Sequence, residues 1–410
     1  MRIGFLFNHD QIHQVAHSLP IALALARSSY RGEILVATTT PRLAHEVRRL
    51  GGPSIGTRIS HVDLSLAASS RVATLLLGGL VPAQKLLVYR DNLEFFRSLD
   101  VLVVAEKTSL VLKTRYGLRK LKIVHTRHGA GDRAIGFNKA SAGFDHVLCS
   151  GRKIRERLVR DAGVPRDRIS IVGYPKFDHI STSASLLMPP PARPVVLYNP
   201  HPSPHLSSWY RHGRAILDFF VGNDDYELIF APHVMLFERR IAISIDPLRA
   251  GLPGRIAARY LRSPNIHIDL GSRSSTDMTY TQAADIYIGD ASSQVYEYLY
   301  RPRPCLFLNS HSIEWRNDAS FEHWNAGPVI TRPEELGNGL RHALSTHANQ
   351  YRAIQQEMFD RTFDLSERPS SQRAAEAIQR FSERNVAPVL APAAASPALM
   401  ADSISSSRVR

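Results

Sequence analysis

Short apolar runs alternate with amphipathic stretches along most of the chain, the rhythm of strands and helices in an open parallel sheet. Residues 3–8, 33–39, 101–105, 122–125, 146–149 and 169–172 read as buried strands. Residues 13–28, 41–50 (with Pro41 in its first turn) and 82–99 read as helices between them. A second series follows, with strands over 195–198, 227–231, 265–268, 285–288 and 305–308 and a helix over 212–221. Parallel strands joined by helices require right-handed crossovers, so each series predicts one α/β domain. Residues 1–180 form the first, 181–194 with its run Pro189-Pro190-Pro191 a linker, and 195–332 the second. Residues 333–385 read as a helical region that packs across both, and the Ala/Pro/Ser-rich 386–410 as a disordered tail.

With 410 residues the chain is long enough for two cores. Cys149 and Cys305 both fall in apolar runs, as small buried hydrophobes of a reducing compartment do, and their spacing suits neither a metal nor a disulfide framework. The opening residues 1–8 are too short for a leader, and no apolar run approaches the roughly 18 residues of a membrane span. A cytoplasmic location is expected.

The net charge of +14 changes the picture because it is one-sided: 28 Lys and Arg against 14 Asp and Glu through residue 180, but 23 against 23 beyond. Between Lys107 and Arg127 there are seven basic residues and no acid. Such a face attracts anionic lipid or a polyanionic substrate. Nucleic acid is not expected, since no recognised binding motif accompanies the charge. The apolar stretch 75–89, with Lys85 and Arg90 at its edge, reads as a core or interdomain helix, or as one lying on a membrane surface.

Candidate chemistry falls where loops leave the strands. After 285–288 come Gly289, Asp290, Ala291, Ser292 and Ser293, then a helical pattern, so backbone N–H groups and two hydroxyls gather where a phosphate could sit. A plain helix cap explains the serines equally well. After 122–125 come Arg127, His128, Gly129 and Arg133. His128 titrates near neutrality, and the glycine allows close backbone approach. His201 lies in a proline-stiffened loop after 195–198, and His233 follows 227–231. Loops at strand C-termini share one crevice, so His233, Ser292 and Ser293 are expected to converge. There is no Gly-rich phosphate loop of the Walker or dinucleotide type and no Asp-x-Asp pair. Charge neutralisation without metal or cofactor is the expectation.

In this order the motifs resemble the CDP-glycerol glycerophosphotransferase family, the teichoic-acid primases and polymerases with a GT-B fold. His128-Gly129 is similar to that family's Trp-His-Gly-Thr-Pro element, and Gly173-Tyr174-Pro175-Lys176-Phe177-Asp178 to Gly-x-Pro-Arg-x-Asp. Val195 to Pro200 resembles its Tyr-Ala-Pro-Thr strand, and Ala231-Pro232-His233 its Lys/Arg-x-His-Pro turn. Asp285 to Tyr298 resembles its Asp-Tyr-Ser-Ser segment, Pro304 to Leu308 the strand after it, and Phe363 to Ser366 with Ser370 to Arg373 its terminal region. Together these span about residues 120–380, with Ala130-Gly131 and Ala291 departing from the pattern. The resemblance implies two Rossmann-like domains facing a central cleft, with His128 as general base. It implies donor contacts from His233, Gly289, Asp290, Ser292 and Ser293, with Arg127, Arg133 and His201 as accessories. It also implies a CDP-activated donor and a lipid-linked or anionic acceptor at an anionic membrane face, in cell-envelope polymer synthesis. A nucleotide-sugar glycosyltransferase, a sugar-nucleotide epimerase or a non-catalytic polyanion-binding protein remain alternatives.

Overall fold

The structure, a computed structural model, describes residues 1–9, 11–76, 83–127, 129–179, 193–245 and 247–386. Seven strands come first: β1 (Arg2–Phe7), β2 (Glu33–Thr38), β3 (Ser60–Asp63), β4 (Val101–Val104), β5 (Lys122–His125), β6 (His146–Cys149) and β7 (Ile169–Ile171). They form one parallel sheet in the order β3-β2-β1-β4-β5-β6-β7. Its central strands are apolar on both faces. Ile3, Phe5 and Phe7 pack to one side with the Val15–Arg27 helix, while Leu6, Leu102 and Val104 belong to the core on the other. Burial on both faces is what makes these runs continuous rather than alternating.

The second half supplies β8 (Val195–Asn199), β9 (Glu227–Phe230), β10 (Ala242–Ile245), β11 (Leu248–Gly251), β12 (Ile266–Ile268), β13 (Ile286–Gly289), β14 (Cys305–Leu308) and β15 (Val329–Ile330). Six of them make a parallel sheet in the order β12-β9-β8-β13-β14-β15, and β10 and β11 form a separate antiparallel hairpin. In each sheet the order reverses once, between β1 and β4 and between β8 and β13. Crevices form at such switch points, beyond the strands' carboxyl ends.

The C-terminal helical region resolves into helices Leu336–Thr346, Arg352–Thr362 and Ser370–Asn385. The first buries Leu336 and Leu340 against the second sheet's core, whereas the last buries Ala374, Ile378 and Phe381 in the first. The chain therefore crosses back. The last helix is received by Asp178, whose two carboxylate oxygens accept from Ser370 N (2.8 Å) and Ser371 N (2.7 Å).

Several local expectations change. The helix expected over 82–99 is two helices, Ala83–Asp91 and Leu93–Arg97. At the break Asn92 donates to Val88 O (2.9 Å) and Ser65 O (3.0 Å), a local bond that competes with helix continuation. Strands β3, β10, β11 and β15 and the Arg152–Arg160 helix were not expected: the strands are short or exposed, and the helix has few apolar residues. Residues 77–82 of the 75–89 stretch, residue 180 with 181–192 of the linker, and 387–410 of the tail lie outside the described residues. Among the described residues no helix is long and apolar enough to cross a membrane.

Candidate active site

His128 lies outside the described residues, but its neighbours frame its place after β5. Arg127 has φ +47°, a left-handed backbone that a non-glycine residue holds only under constraint. The constraint is visible. Its Nη1 donates to Gly136 O (2.7 Å), and its guanidinium lies 4.5 Å from the centre of the Phe137 ring. Burial pushes its pKa down to about 10, helped by the charge of Arg157. Gly129 has φ +77°, and a small crevice of about 20 Å³ beside it is lined by Arg127, His17, Thr126, Ser150 and Tyr174.

The loop after β5 touches the turn after β13. A Cβ added to Gly131 would sit 2.9 Å from Ser293 Cβ, so glycine is what lets the two approach. Gly129 faces the same residue, 3.8 Å from Ser293 Oγ by the same measure. Ser293 is exposed, whereas Ser292 is buried and its Oγ accepts from Gln294 N (3.3 Å). The helix that follows is only five residues, Gln294–Tyr298. Gly289 closes β13, paired with Asn199 on one side and Phe307 on the other.

Asp290 points inward. Its carboxylate accepts from His201 N (2.8 Å), Ser208 N (2.7 Å), Ser208 Oγ (2.9 Å) and Ala291 N (2.7 Å). Burial raises its pKa against the pull of those donors. Its lone pairs are committed to fastening the β8 loop to the β13 turn.

Around that fastening, donors outnumber acceptors. His201 is buried; Ser203 N donates to its Nδ1 (3.0 Å), and Arg133 Nη1 stands 3.3 Å from its Nε2. Burial and the Arg133 charge hold His201 well below the usual imidazole range, so it is neutral with a single lone pair facing two donors. Arg133 has no carboxylate partner among the described residues, and burial lowers its own pKa. His233 is also neutral, pushed to about 4 by burial, although the residue as a whole is only half-buried. Met235 N donates to its Nδ1 (3.3 Å), which leaves the proton on Nε2, and the His201 and His233 ring centres are 6.2 Å apart. Donors set together in this way are suited to an anion.

Sequence reasoning missed the groups that tie the two sheets together here. Asp132 accepts from Lys153 Nζ (2.7 Å), Tyr296 OH and His323 Nδ1 (3.2 Å). Trp324 Nε1 donates to the Asp290 carbonyl (2.6 Å), and His323 Nε2 stands 2.9 Å from the same oxygen. Burial alone would raise Asp132; the His323 hydrogen bond and the Lys153 charge outweigh it and bring it to about 2. A second strut joins Lys176 Nζ to Glu297 Oε1 (2.6 Å), with Tyr174 OH on the same oxygen. The available signal was that Tyr174, Lys176, Tyr296 and Glu297 lie inside the motifs already singled out. A cavity of about 580 Å³ beside Lys153, Arg157 and Glu322 is lined also by Trp315 and Arg316, but by none of His233, Ser292 or Ser293.

The basic stretch is partly spent internally. Lys107 donates to Asn138 Oδ1 (2.8 Å) and Lys113 pairs with Asp145, whereas Arg115, Arg119 and Lys120 are exposed. Among the described residues no three His, Cys, Asp or Glu side chains stand together as metal ligands.

No protein-family model and no curated protein matches the chain. Solved structures do. The wall teichoic acid polymerase TagF soaked with CDPG is similar at TM-score 0.58 and 16% identity, over 94% of this chain and 90% of that one. The UDP-GlcNAc 2-epimerase of Neisseria meningitidis bound to UDP-GlcNAc is similar at 0.56 and 11%, over 94% and 100%. The glycotransferase of kitacinnamycin gives 0.54 and 12%, over 93% and 98%. Two parallel sheets facing across a cleft, matched over nearly whole chains, give this protein the GT-B fold.

Proposed function

We propose that this chain is a transferase that moves glycerol phosphate from CDP-glycerol to an acceptor hydroxyl. The observation that carries this reading is the excess of donors at Arg133, His201 and His233, beside the contact of Gly131 with Ser293. A diphosphate there would accept from Arg133, from His233 Nε2 and from Ser293, while Gly289 and Asp290 keep the turn in place. His128 takes the proton of the acceptor hydroxyl, whose oxygen bonds to the β-phosphorus. The bond from that phosphorus to the bridging oxygen breaks, and CMP leaves with the electron pair. Arg127, fixed against Phe137, adds positive charge to the same mouth. The acceptor is lipid-linked or otherwise anionic, met at the inner face of the plasma membrane during cell-envelope polymer synthesis.

Calorimetry with CDP-glycerol, CMP, UDP-GlcNAc and UDP tests the donor. CDP-glycerol and CMP should bind, and Arg133→Gln should weaken both about tenfold or more. His128→Ala should reduce turnover about 100-fold or more with nucleotide affinity kept; unchanged turnover removes His128 as the base. A second reading, glycosyl transfer or epimerisation on a nucleotide sugar, has support in the comparable fold likeness to the epimerase and the glycotransferase. Binding of UDP-GlcNAc without CDP-glycerol would select it, and no nucleotide binding at all would leave a non-catalytic anion-binding protein.

A further inference from the structure

The β10–β11 hairpin turns apolar side chains to solvent. Its register pairs Ile243 with Ala250 and Ser244 with Arg249. Side chains alternate across a strand, so Ile243 and the flanking Ile241 and Leu252 share the Ala250 face, and Leu248 joins them. These four are 65%, 54%, 70% and 76% exposed. Scattered exposed Leu or Ile residues are ordinary on a soluble protein, but four on one face of one short hairpin are a patch. The opposite face is spent inward. Ser244 is buried, and Gly251 lies so near Tyr210 that an added Cβ would be 2.6 Å from its ring.

The rim of the patch is basic. Arg239, Arg240 and Arg255 are all exposed and have no carboxylate partner among the described residues. The nearby acids in sequence are Glu238, which accepts from Gln11 Nε2 (3.0 Å), and Asp246, which lies outside the described residues. An apolar face rimmed by guanidiniums is complementary to acyl chains beneath anionic headgroups. A second copy of this chain would set these arginines against their own equivalents, which argues against self-association.

We propose that this hairpin docks the protein on an anionic lipid surface, with Ile241, Ile243, Leu248 and Leu252 entering the interface and the arginines meeting phosphate headgroups. This docking stands without the reaction proposed above, yet it bears on it. The hairpin rests on Tyr210 and Pro204, and Trp209 Nε1 donates to Pro253 O (2.9 Å). The same segment carries His201 and is fastened by Asp290. The lipid contact therefore lies beside the mouth of the cleft, where a membrane-bound acceptor would arrive.

The test is co-sedimentation of the full chain with vesicles of phosphatidylcholine alone and of phosphatidylcholine mixed with phosphatidylglycerol. We expect binding to the anionic vesicles that weakens with salt. Ile243→Asp with Leu248→Asp should lower that affinity about tenfold or more, since both apolar side chains are lost from the interface. Thermal midpoint and nucleotide binding should stay unchanged, which separates failure of the docking from failure of the site. Replacing Arg239, Arg240 and Arg255 with Gln should erase the preference for anionic lipid. The proposal is overturned if the native chain ignores anionic vesicles or if the double Asp variant binds them equally well. It is also overturned if ultracentrifugation shows that the Asp substitutions abolish an oligomer while vesicle binding is intact.

Discussion

Asp290 and Ser293 stand three residues apart in one turn, and their surroundings give them opposite duties. Four N–H and O–H groups close on the Asp290 carboxylate, so Asp290→Ala strands several buried donors at once. Its cost should be about 3 kcal/mol or more, read as a lower urea midpoint. Ser293 is exposed, and Ser293→Ala should change stability by less than about 0.5 kcal/mol. It should still weaken nucleotide binding about three- to tenfold, the value of one hydrogen bond, in the same calorimetric assay. Equal stability losses in the two variants would reject this division. Asp132 gives a separate handle through pH. Its folded pKa of about 2 lies below the ordinary carboxyl value, so the stability it contributes is complete above that ordinary value and disappears as pH falls toward 2. The loss amounts to roughly 2 kcal/mol. Between pH 5 and pH 2 the native chain should therefore lose about that much more unfolding free energy than Asp132→Asn, in parallel denaturation curves.

Two loops, each leaving a different sheet, meet through Gly131 and Ser293, and the fit leaves no room for a methyl group. Gly131→Ala should push the loop and turn apart by a few tenths of an ångström. We expect turnover to fall tenfold or more, because displacements of this kind misalign reacting groups, while unfolding free energy changes by about 1 kcal/mol or less. Adding Ser293→Gly frees the space and should restore part of the lost turnover; no restoration would mean that the contact is not steric. Elements of this kind mark the border of what a sequence discloses. Buried parallel strands such as β5, β6 and β14 announce themselves because both faces are apolar, and their bounds coincide with the apolar runs. The hairpin does not, since its apolar face is turned to water. The expectation from strand–loop order joined His233 with Ser292 and Ser293; the structure sets the His233 ring 6.2 Å from that of His201, buries Ser292 and leaves Ser293 exposed. The inward turn of Asp290 was not legible, because a Gly-Asp-Ala-Ser-Ser segment reads the same whether its carboxylate faces a ligand or the Ser208 N–H.

Across the whole molecule, the two sheets are held in one arrangement by buried polar struts and by the returning C-terminal helix rather than by a shared sheet. Lys176 and Glu297 form a pair only 8% exposed at each side chain, one from the segment after β7 and one from the helix after β13. Such a pair contributes little beyond an apolar replacement, but removing one partner leaves a buried charge alone. Glu297→Ala should therefore cost about 3 kcal/mol or more, whereas Lys176→Met combined with Glu297→Leu should stay within roughly 2 kcal/mol of the native chain. Scanning calorimetry distinguishes a local from a global effect. If the strut couples the sheets, Glu297→Ala should split the unfolding endotherm into two transitions, with the half that holds β1 and the Ser370–Asn385 helix melting as one unit. Ala374, Ile378 and Phe381 lie in that half's core, so the helix cannot leave while the sheet stays folded. A single sharp transition in Glu297→Ala would place the coupling instead in the Asp132, Lys153, Tyr296 and His323 cluster. Tyr296→Phe, which removes one donor to Asp132 and keeps the ring, should then produce the split that Glu297→Ala did not.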